Sequence, residues 1–306
     1  MEAVTGYYPA PEQVDAWCDA LLERTRQVRV QGECLAYDPL TEPFGNCPNT
    51  LVNRYVRFTA SDGRRAFYGY WQPALKTPAP LLINLPGYGG FMSLHPQLCD
   101  QNFHILHVSP LGYVTPSGAD WSLALPDRNW PVLPNTALGA PGGYEDWLSD
   151  VLLAVRWALE RPDVLPDRLS FFGTSQGGGG SLLLASLLGP ERVRCVCADL
   201  PFLTDFPHTG LNGEAYGLLR PVRSQVEPEA FWRRLGLVDT VSHAHRLSMP
   251  VMLSSGGADD TCPAATVERL FSRLPGTKQY TYLEHQTHTH SRSSMVLFSA
   301  WLHLYA

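Results

Sequence analysis

The sequence lacks the signatures of several classes of protein. Its seven cysteines are an odd number without a Cys-x-x-Cys pair, which argues against a disulfide framework or a zinc knuckle. The formal net charge is −6 and the basic residues are scattered, so the stripe of lysine and arginine that nucleic-acid binding needs is missing. No run approaches the roughly 18 apolar residues of a membrane span, and residues 1–10 have no signal-peptide pattern. We therefore expect a cytoplasmic protein without nucleic-acid or membrane partners.

What is present fits one large globular domain. The chain has 306 residues, of which 44% are hydrophobic and 17% charged, as in soluble proteins with a sizeable core. We expect residues 1–306 to form a single domain, with residues 1–50 as an N-terminal extension. Val14, Trp17 and Leu21 recur at helical spacing within it, and a loop is expected at residues 43–49.

Apolar runs and helical stripes alternate along the rest of the chain. Two alternating runs flank a Ser-Asp-Gly turn and predict a hairpin, and short continuous apolar runs predict buried strands. The predicted strands are 55–59, 66–71, 81–85, 105–109, 169–172, 193–198, 250–254 and 279–283, and the predicted helices are 144–160, 177–188, 264–274 and 292–304. This order favours a mostly parallel central sheet with helices on both faces. Residues 115–143 and 202–245 interrupt this alternation of strands and helices, and we expect them to be lids or binding loops.

One pentapeptide carries the strongest chemical signal. Gly173-Thr174-Ser175-Gln176-Gly177 follows a predicted strand and precedes a helix that opens with further glycines. That context is typical of a nucleophile elbow, in which a strained turn lifts the serine hydroxyl above the sheet. A glycine-rich packing turn is the structural alternative, and a phosphate loop is excluded because no Gly-Lys-Ser/Thr follows. The pattern predicts Ser175 as a nucleophile in an α/β-hydrolase fold.

A nucleophilic serine needs a base and an acid, which follow it in the order Asp or Glu and then His in this fold. Asp259 and Asp260 come just after a predicted strand, where a ligand crevice opens in parallel sheets. His285, His288 and His290 follow the last strand, and spacing alone does not choose among them. The three could also hold a metal ion, but the H-x-x-H spacing suits a helix better than this loop.

Acyl transfer also needs backbone N–H groups for the negatively charged oxygen. One candidate is the N–H of Gln176, directly after the serine. The other is the N–H of Tyr88 in Pro86-Gly87-Tyr88-Gly89-Gly90, the glycine-rich turn that follows the predicted strand 81–85. An ordinary tight turn is the alternative reading of that loop.

At this point the chain resembles the cephalosporin C deacetylase and acetyl xylan esterase family of carbohydrate esterases. The resemblance rests on four stretches: Gly87-Tyr88-Gly89-Gly90, Gly173-Thr174-Ser175-Gln176-Gly177-Gly178, Asp199-Leu200-Pro201-Phe202-Leu203, and Asp259-Asp260-Thr261-Cys262-Pro263 followed by Thr266. It extends from about residue 11 to the C-terminus and is weakest at residues 115–143. Two departures stand out: Pro110-Leu111-Gly112-Tyr113 replaces the family's Arg-Gly-Gln-Gly, and Thr289 replaces the glutamate after the base.

The resemblance implies roles for particular residues. It selects Asp259 as the acid, because the family's acid stands three residues before Cys-Pro, and His288 as the base by its spacing from that acid. It also implies Tyr88 and Gln176 as oxyanion donors, Pro201 and Phe202 as substrate-binding residues, no cofactor or metal, and a tendency to form homo-oligomers.

The expected function is hydrolysis of small acyl esters, acetyl above all, through a Ser-His-Asp triad and an acyl-enzyme. Acetyl is expected by resemblance only. A second hypothesis keeps the triad in an acyltransferase, lactonase or cyclase acting on a bulkier natural-product ester, because aromatic loops around Trp121 and Trp130 can shield an acyl-enzyme from water. A third is a non-catalytic binding module on the same fold.

Overall fold

The computed structural model of the protein describes residues 6–35, 54–89, 98, 101–289 and 291–306. Among those residues, no helix combines the length and the apolar character that a membrane crossing requires. The expected loop at 43–49, Gly90 and His290 lie outside the described residues.

A nine-stranded sheet forms the centre of the described part of the molecule. Its strands are β1 (Val30–Leu35), β2 (Arg54–Ala60), β3 (Phe67–Gln72), β4 (Ala79–Leu85), β5 (His104–Ser109), β8 (Val164–Thr174), β9 (Val193–Asp199), β10 (Val251–Gly256) and β11 (Lys278–Leu283). They lie side by side in the order β1-β2-β3-β5-β4-β8-β9-β10-β11. Strands β1, β2 and β3 run antiparallel to their neighbours, and the six from β5 to β11 in the sheet order are parallel. A small separate hairpin consists of β6 (Val114–Thr115) and β7 (Gly118–Ala119).

Helices cover both faces of this sheet. Those whose full range is described are α1 (Pro11–Gln27), α2 (Val132–Leu138), α3 (Tyr144–Leu159), α4 (Gln176–Leu188), α5 (Phe206–Thr209), α6 (Gly213–Tyr216), α7 (Pro228–Gly236), α8 (Ala264–Arg273) and α9 (Arg292–Tyr305). Neighbouring strand residues point to opposite faces, so that Phe171 packs in the core under α3 and α4 while Phe172 packs against α9. The predicted architecture is therefore observed.

The two predicted insertions contain more regular structure than the sequence indicated. Residues 115–143 include β7, a 3₁₀ turn (Trp121–Leu123) and α2. Residues 202–245 include α5, α6, α7 and three 3₁₀ turns, and many of their side chains are buried in the main core. Their role as lids or binding loops stays a prediction.

Candidate active site

Ser175 occupies a strained turn between β8 and α4. Its backbone has φ 58° and ψ −121°, a conformation that residues with a side chain rarely adopt. The turn is held by main-chain bonds: the Ser175 N–H donates to Asp199 C=O at 2.8 Å, and Ser175 C=O accepts from Gly179 and Phe202, both at 3.0 Å. These bonds fix the serine at the carboxyl edge of the parallel strands.

The glycine at 177 is required by close approach to a neighbouring strand. A Cβ atom there would lie 2.1 Å from the carbonyl oxygen of Leu85, at the end of β4. No side chain fits in that space. The glycine of the pentapeptide therefore lets α4 begin directly against β4, and the loop that follows β4 comes to lie beside the serine.

The structure brings three of the predicted side chains together. His288 Nε2 lies 2.8 Å from Ser175 Oγ, and His288 Nδ1 lies 2.8 Å from Asp259 Oδ2. Residues 175, 259 and 288 thus form one continuous chain of hydroxyl, imidazole and carboxylate. Such a chain can activate a serine oxygen for attack on a carbonyl carbon.

The carboxylate of Asp259 is held from its other side by the main chain. Its Oδ1 accepts from the N–H groups of Thr261 at 2.9 Å and Cys262 at 2.8 Å, and its side chain is fully buried. Asp260, the alternative acid, is exposed. Burial raises the pKa of the Cys262 thiol, which lies beside Asp259 and Ser175, so this sulfur stays protonated.

The competing histidines differ sharply in their surroundings. The side chain of His285 is 93% exposed, and its nearest ionic neighbour is Glu284 at 4.0 Å. Among the residues that the structure describes, no group of three or more His, Cys, Asp or Glu side chains could hold a metal ion. The alternative of a metal site made of three histidines includes His290, which lies outside the described residues.

The two predicted oxyanion donors belong to segments that border the serine. Gln176 is the first residue of α4, where backbone N–H groups have no partner within the helix. Gly87 comes within contact range of the serine, since a Cβ atom on it would be 4.0 Å from Ser175 Cβ. Tyr88 follows directly and is partly exposed, and the positive end of α4 also favours negative charge at this place.

The side chains of these two residues have partners that the sequence did not reveal. The Tyr144 hydroxyl donates to Gln176 Oε1 at 2.8 Å, and burial raises the pKa of that phenol well above its usual value. The Tyr88 hydroxyl contacts the main chain of Trp130. Tyr144 and Trp130 are 32 and 42 positions from these partners, and no motif links them.

Pro201 and Phe202 are buried beneath the site. Phe202 packs edge-to-face on Tyr216, with 4.8 Å between ring centroids, and its N–H donates to the Ser175 carbonyl. The main-chain bond joins Phe202 to the serine turn, and the ring contact packs its side chain against Tyr216. Substrate binding by Pro201 and Phe202 stays a prediction.

A buried carboxylate also contacts the residue before the serine. Asp199, at the end of β9, accepts from Ser254 Oγ at 2.5 Å and from Thr174 Oγ1 at 3.1 Å. It thereby connects β10 to the residue before Ser175. The sequence placed Asp199 in a family stretch but gave no sign of these two partners.

Comparison with known proteins gives consistent matches. The family model described as acetyl xylan esterase (AXE1) matches residues 143–301. The acetyl esterase Axe7A of Xylanibacter ruminicola is 24% identical over 310 residues, covering 91% of this chain. The chain spans only 63% of the length of that relative.

Two solved structures resemble the chain over nearly its whole length. Acetyl xylan esterase 1 from a Thermoanaerobacterium species matches with a TM-score of 0.79 and 20% identity, covering 97% of this chain and 95% of that one. An acetyl xylan esterase from a Paenibacillus species matches with a TM-score of 0.78 and 19% identity, covering 100% and 99%. These likenesses show the α/β-hydrolase fold that the sequence predicted.

Proposed function

Because the chain belongs to the acetyl xylan esterase (AXE1) family, and so to the serine carboxylic-ester hydrolases, we propose that it hydrolyses small acyl esters, acetyl esters above all, through an acyl-enzyme on Ser175. The observation that carries the proposal is the pair of 2.8 Å contacts that join Ser175 Oγ to His288 and His288 to Asp259.

In the first half of the reaction, Ser175 Oγ attacks the ester carbonyl carbon while His288 Nε2 takes the hydroxyl proton. The carbonyl oxygen becomes negatively charged and accepts hydrogen bonds from the N–H groups of Tyr88 and Gln176. The C–O bond to the alcohol then breaks, and His288 returns its proton to the leaving oxygen. The serine is left carrying the acyl group.

In the second half, a water molecule takes the place of the alcohol. His288 accepts one of its protons, the hydroxide oxygen attacks the acyl carbon, and the same two N–H groups stabilise the charge again. Collapse breaks the bond to Ser175 Oγ, which recovers its proton from His288. The products are the free acid and the resting enzyme.

Asp259 stabilises the positive charge that the imidazole carries between these proton transfers. The carboxylate is removed from solvent and accepts two main-chain hydrogen bonds on the oxygen that does not face His288. These bonds hold the carboxylate in place, with its other oxygen facing the imidazole.

Transfer of the acyl group to an alcohol other than water is the second candidate. It is favoured by three aromatic rings, Tyr113, Trp130 and Trp121, that stack in parallel near the oxyanion loop. Trp121 is 53% exposed, and such an apolar surface can hold a bulky acceptor or exclude water from an acyl-enzyme.

Hydrolysis rates on p-nitrophenyl acetate, butyrate and octanoate test the acyl preference. We expect kcat/KM to be highest for acetate, and equal or faster cleavage of octanoate would contradict a deacetylase. Ser175→Ala should lower kcat by about 10⁴- to 10⁶-fold and abolish labelling by a fluorophosphonate probe. Retained activity in this variant would contradict the role of Ser175.

The same substrates separate hydrolysis from transfer. With p-nitrophenyl acetate and an added alcohol, a hydrolase releases acetate and nitrophenol in equal amounts. An acyltransferase instead yields nitrophenol and the acetylated alcohol, with little free acetate. Chromatographic measurement of both acetyl products therefore distinguishes the two candidates.

The cytoplasm is the proposed compartment. Five cysteines of the described residues are unpaired thiols: Cys18, Cys34, Cys195, Cys197 and Cys262. Free thiols are typical of reducing compartments, which supports this location.

A further inference from the structure

The loop that carries the Tyr88 N–H has little conformational preference of its own. Tyr88 lies between Gly87 and Gly89, and Gly89 has φ 95°, a value that glycine adopts without strain. The direction of an N–H group depends on the rotation of its peptide plane. Something outside the loop must therefore fix the peptide before residue 88.

The side chain of Tyr88 supplies such a constraint. Its hydroxyl oxygen accepts from the N–H of Trp130 at 2.6 Å, and its proton faces the Trp130 carbonyl at 3.2 Å, with Asn129 Oδ1 at 3.4 Å. Burial raises the pKa of the Tyr88 phenol to about 12. The hydroxyl therefore keeps its proton at neutral pH and can donate and accept at once.

Trp130, the partner of the Tyr88 hydroxyl, is itself held by its neighbours. The Trp130 ring is stacked between Tyr113, with centroids 4.6 Å apart, and Trp121, at 5.3 Å, and both pairs are within 10° of parallel. The Tyr113 carbonyl accepts from the Asp120 N–H at 2.8 Å, and Asp120 forms an ion pair with Arg65. Through its bonds to Trp130, the Tyr88 side chain is thus attached to a stack of three aromatic rings.

We propose that the hydroxyl of Tyr88 is a positioning group for the oxyanion hole, because its bonds to the Trp130 main chain orient the Tyr88 N–H toward Ser175. The inference rests on the proposed esterase function. The hydroxyl does not touch the reacting atoms. It acts through the backbone of its own residue, and the ring stack of Tyr113, Trp130 and Trp121 keeps its partner in place.

Tyr88→Phe removes the hydroxyl and keeps the ring. Since losing one oxyanion donor typically costs roughly 10²–10³ in kcat, a donor that is present but poorly aimed should cost about 10- to 100-fold in kcat with p-nitrophenyl acetate. KM should change little, because the N–H acts in the transition state. Tyr7→Phe, at an exposed tyrosine, is the matched control and should leave kcat unchanged.

A second readout separates positioning from a general loss of structure. Backbone N–H groups stabilise a negative oxygen better than a negative sulfur, so a well-aimed hole prefers an ester to its thionoester. We expect the ester-to-thionoester rate ratio to fall in Tyr88→Phe and to stay at the wild-type value in Tyr7→Phe. If circular dichroism shows that Tyr88→Phe does not fold, Trp121→Ala is the substitute variant. It removes the outer ring of the stack that holds Trp130, and it should also lower the ester-to-thionoester rate ratio.

The outcomes distinguish this inference from the proposed function. An active wild type whose kcat and rate ratio are unchanged by Tyr88→Phe overturns the positioning role and leaves the esterase intact. A wild type that neither cleaves esters nor reacts with a fluorophosphonate overturns both. A reduced ratio with retained melting temperature supports the inference.

Discussion

At the scale of single residues, the two partners of His288 determine which ring nitrogen carries the proton. Asp259 presents a carboxylate oxygen to Nδ1, and a carboxylate only accepts hydrogen bonds. Nδ1 therefore holds the proton, and the lone pair of Nε2 faces the Ser175 hydroxyl. This is the tautomer that the proposed proton transfer from serine requires.

Asp259→Asn tests this arrangement. The new amide keeps its oxygen toward the two main-chain N–H groups and turns its NH₂ toward His288, which favours the opposite tautomer. By analogy with serine proteases, kcat should fall by about 10⁴-fold, while fluorescence and melting temperature should stay near wild type. The measurement is steady-state hydrolysis of p-nitrophenyl acetate.

Asp260→Asn is the matched control, since the neighbouring carboxylate is exposed and should tolerate the change. Equal activity in the two variants would argue against Asp259 as the acid.

For single residues, a motif carries the information on the backbone at Ser175. The pentapeptide around Ser175 identified the strained turn, because few sequences satisfy its steric demands. Choosing Asp259 over Asp260 needed the family spacing, since both follow the same strand and only burial separates them. The contact of Tyr144 with Gln176 and that of Trp130 with Tyr88 could not be found this way, because they arise from the packing of distant segments.

At the scale of elements, buried strands were easier to predict than edges. Apolar runs gave β4, β5, β9 and β10 to within about two residues of their ends, whereas β8 (Val164–Thr174) extends beyond the predicted strand 169–172 on both sides. Strand β1 was missed because it is an edge strand with mostly exposed or half-exposed residues and a glycine. Helix α2 was missed because Pro134 suggests a break, although proline is tolerated in the first turn of a helix.

Gly179→Ala tests how tightly α4 packs at its first turn. A Cβ atom at this position would lie 2.0 Å from the carbonyl oxygen of Phe202, and a main-chain atom cannot move aside as a side chain can. We expect the free energy of unfolding to fall by about 1–3 kcal/mol or more, measured by urea denaturation.

Gly217→Ala is the comparison variant for this change. The nearest atom to a Cβ there is Arg220 Cζ, at 3.9 Å, which is ordinary contact. Its stability should stay close to wild type. Equal stability of the two variants would show that the helix can shift away from Phe202.

At the scale of the whole molecule, the N-terminal helix and the segment 202–245 meet around one buried histidine. His243 Nδ1 lies 2.8 Å from Ser186 Oγ and Nε2 lies 2.9 Å from the Leu237 carbonyl. Trp17 of α1 packs edge-on against the same ring, with centroids 5.7 Å apart. The predicted N-terminal extension, through Trp17, and the predicted insertion 202–245, through His243, therefore meet beside Ser186 of α4. This is the helix that begins at the serine turn.

This histidine should make stability depend on pH. Burial lowers the pKa of His243 to about 4, whereas an unfolded histidine titrates near 6.5. Its contribution is therefore present above about pH 6.5 and is lost as pH falls toward 4, because only the unfolded chain takes up the proton. The buried carboxyls of Asp150 and Asp239 act oppositely, since burial raises the pKa of each to about 6.

The contribution of His243 is isolated by comparison with His243→Gln. The stability difference between wild type and this variant should shrink by up to about 3 kcal/mol between pH 7 and pH 4, as measured by urea denaturation at each pH. The carboxyl contributions cancel in this difference. A constant difference for His243→Gln would contradict the assignment.

The bond between Tyr88 and position 130 ends on a peptide group, which every amino acid possesses. Replacing the indole there would loosen the stacking yet leave an acceptor and a donor in place. Inserting or deleting residues between 114 and 129 would instead displace that peptide from the phenol. Engineers who wish to reshape this rim can therefore randomise its other side chains at constant length if they keep the three stacked rings, whereas grafts of different length would break the contact between Tyr88 and Trp130.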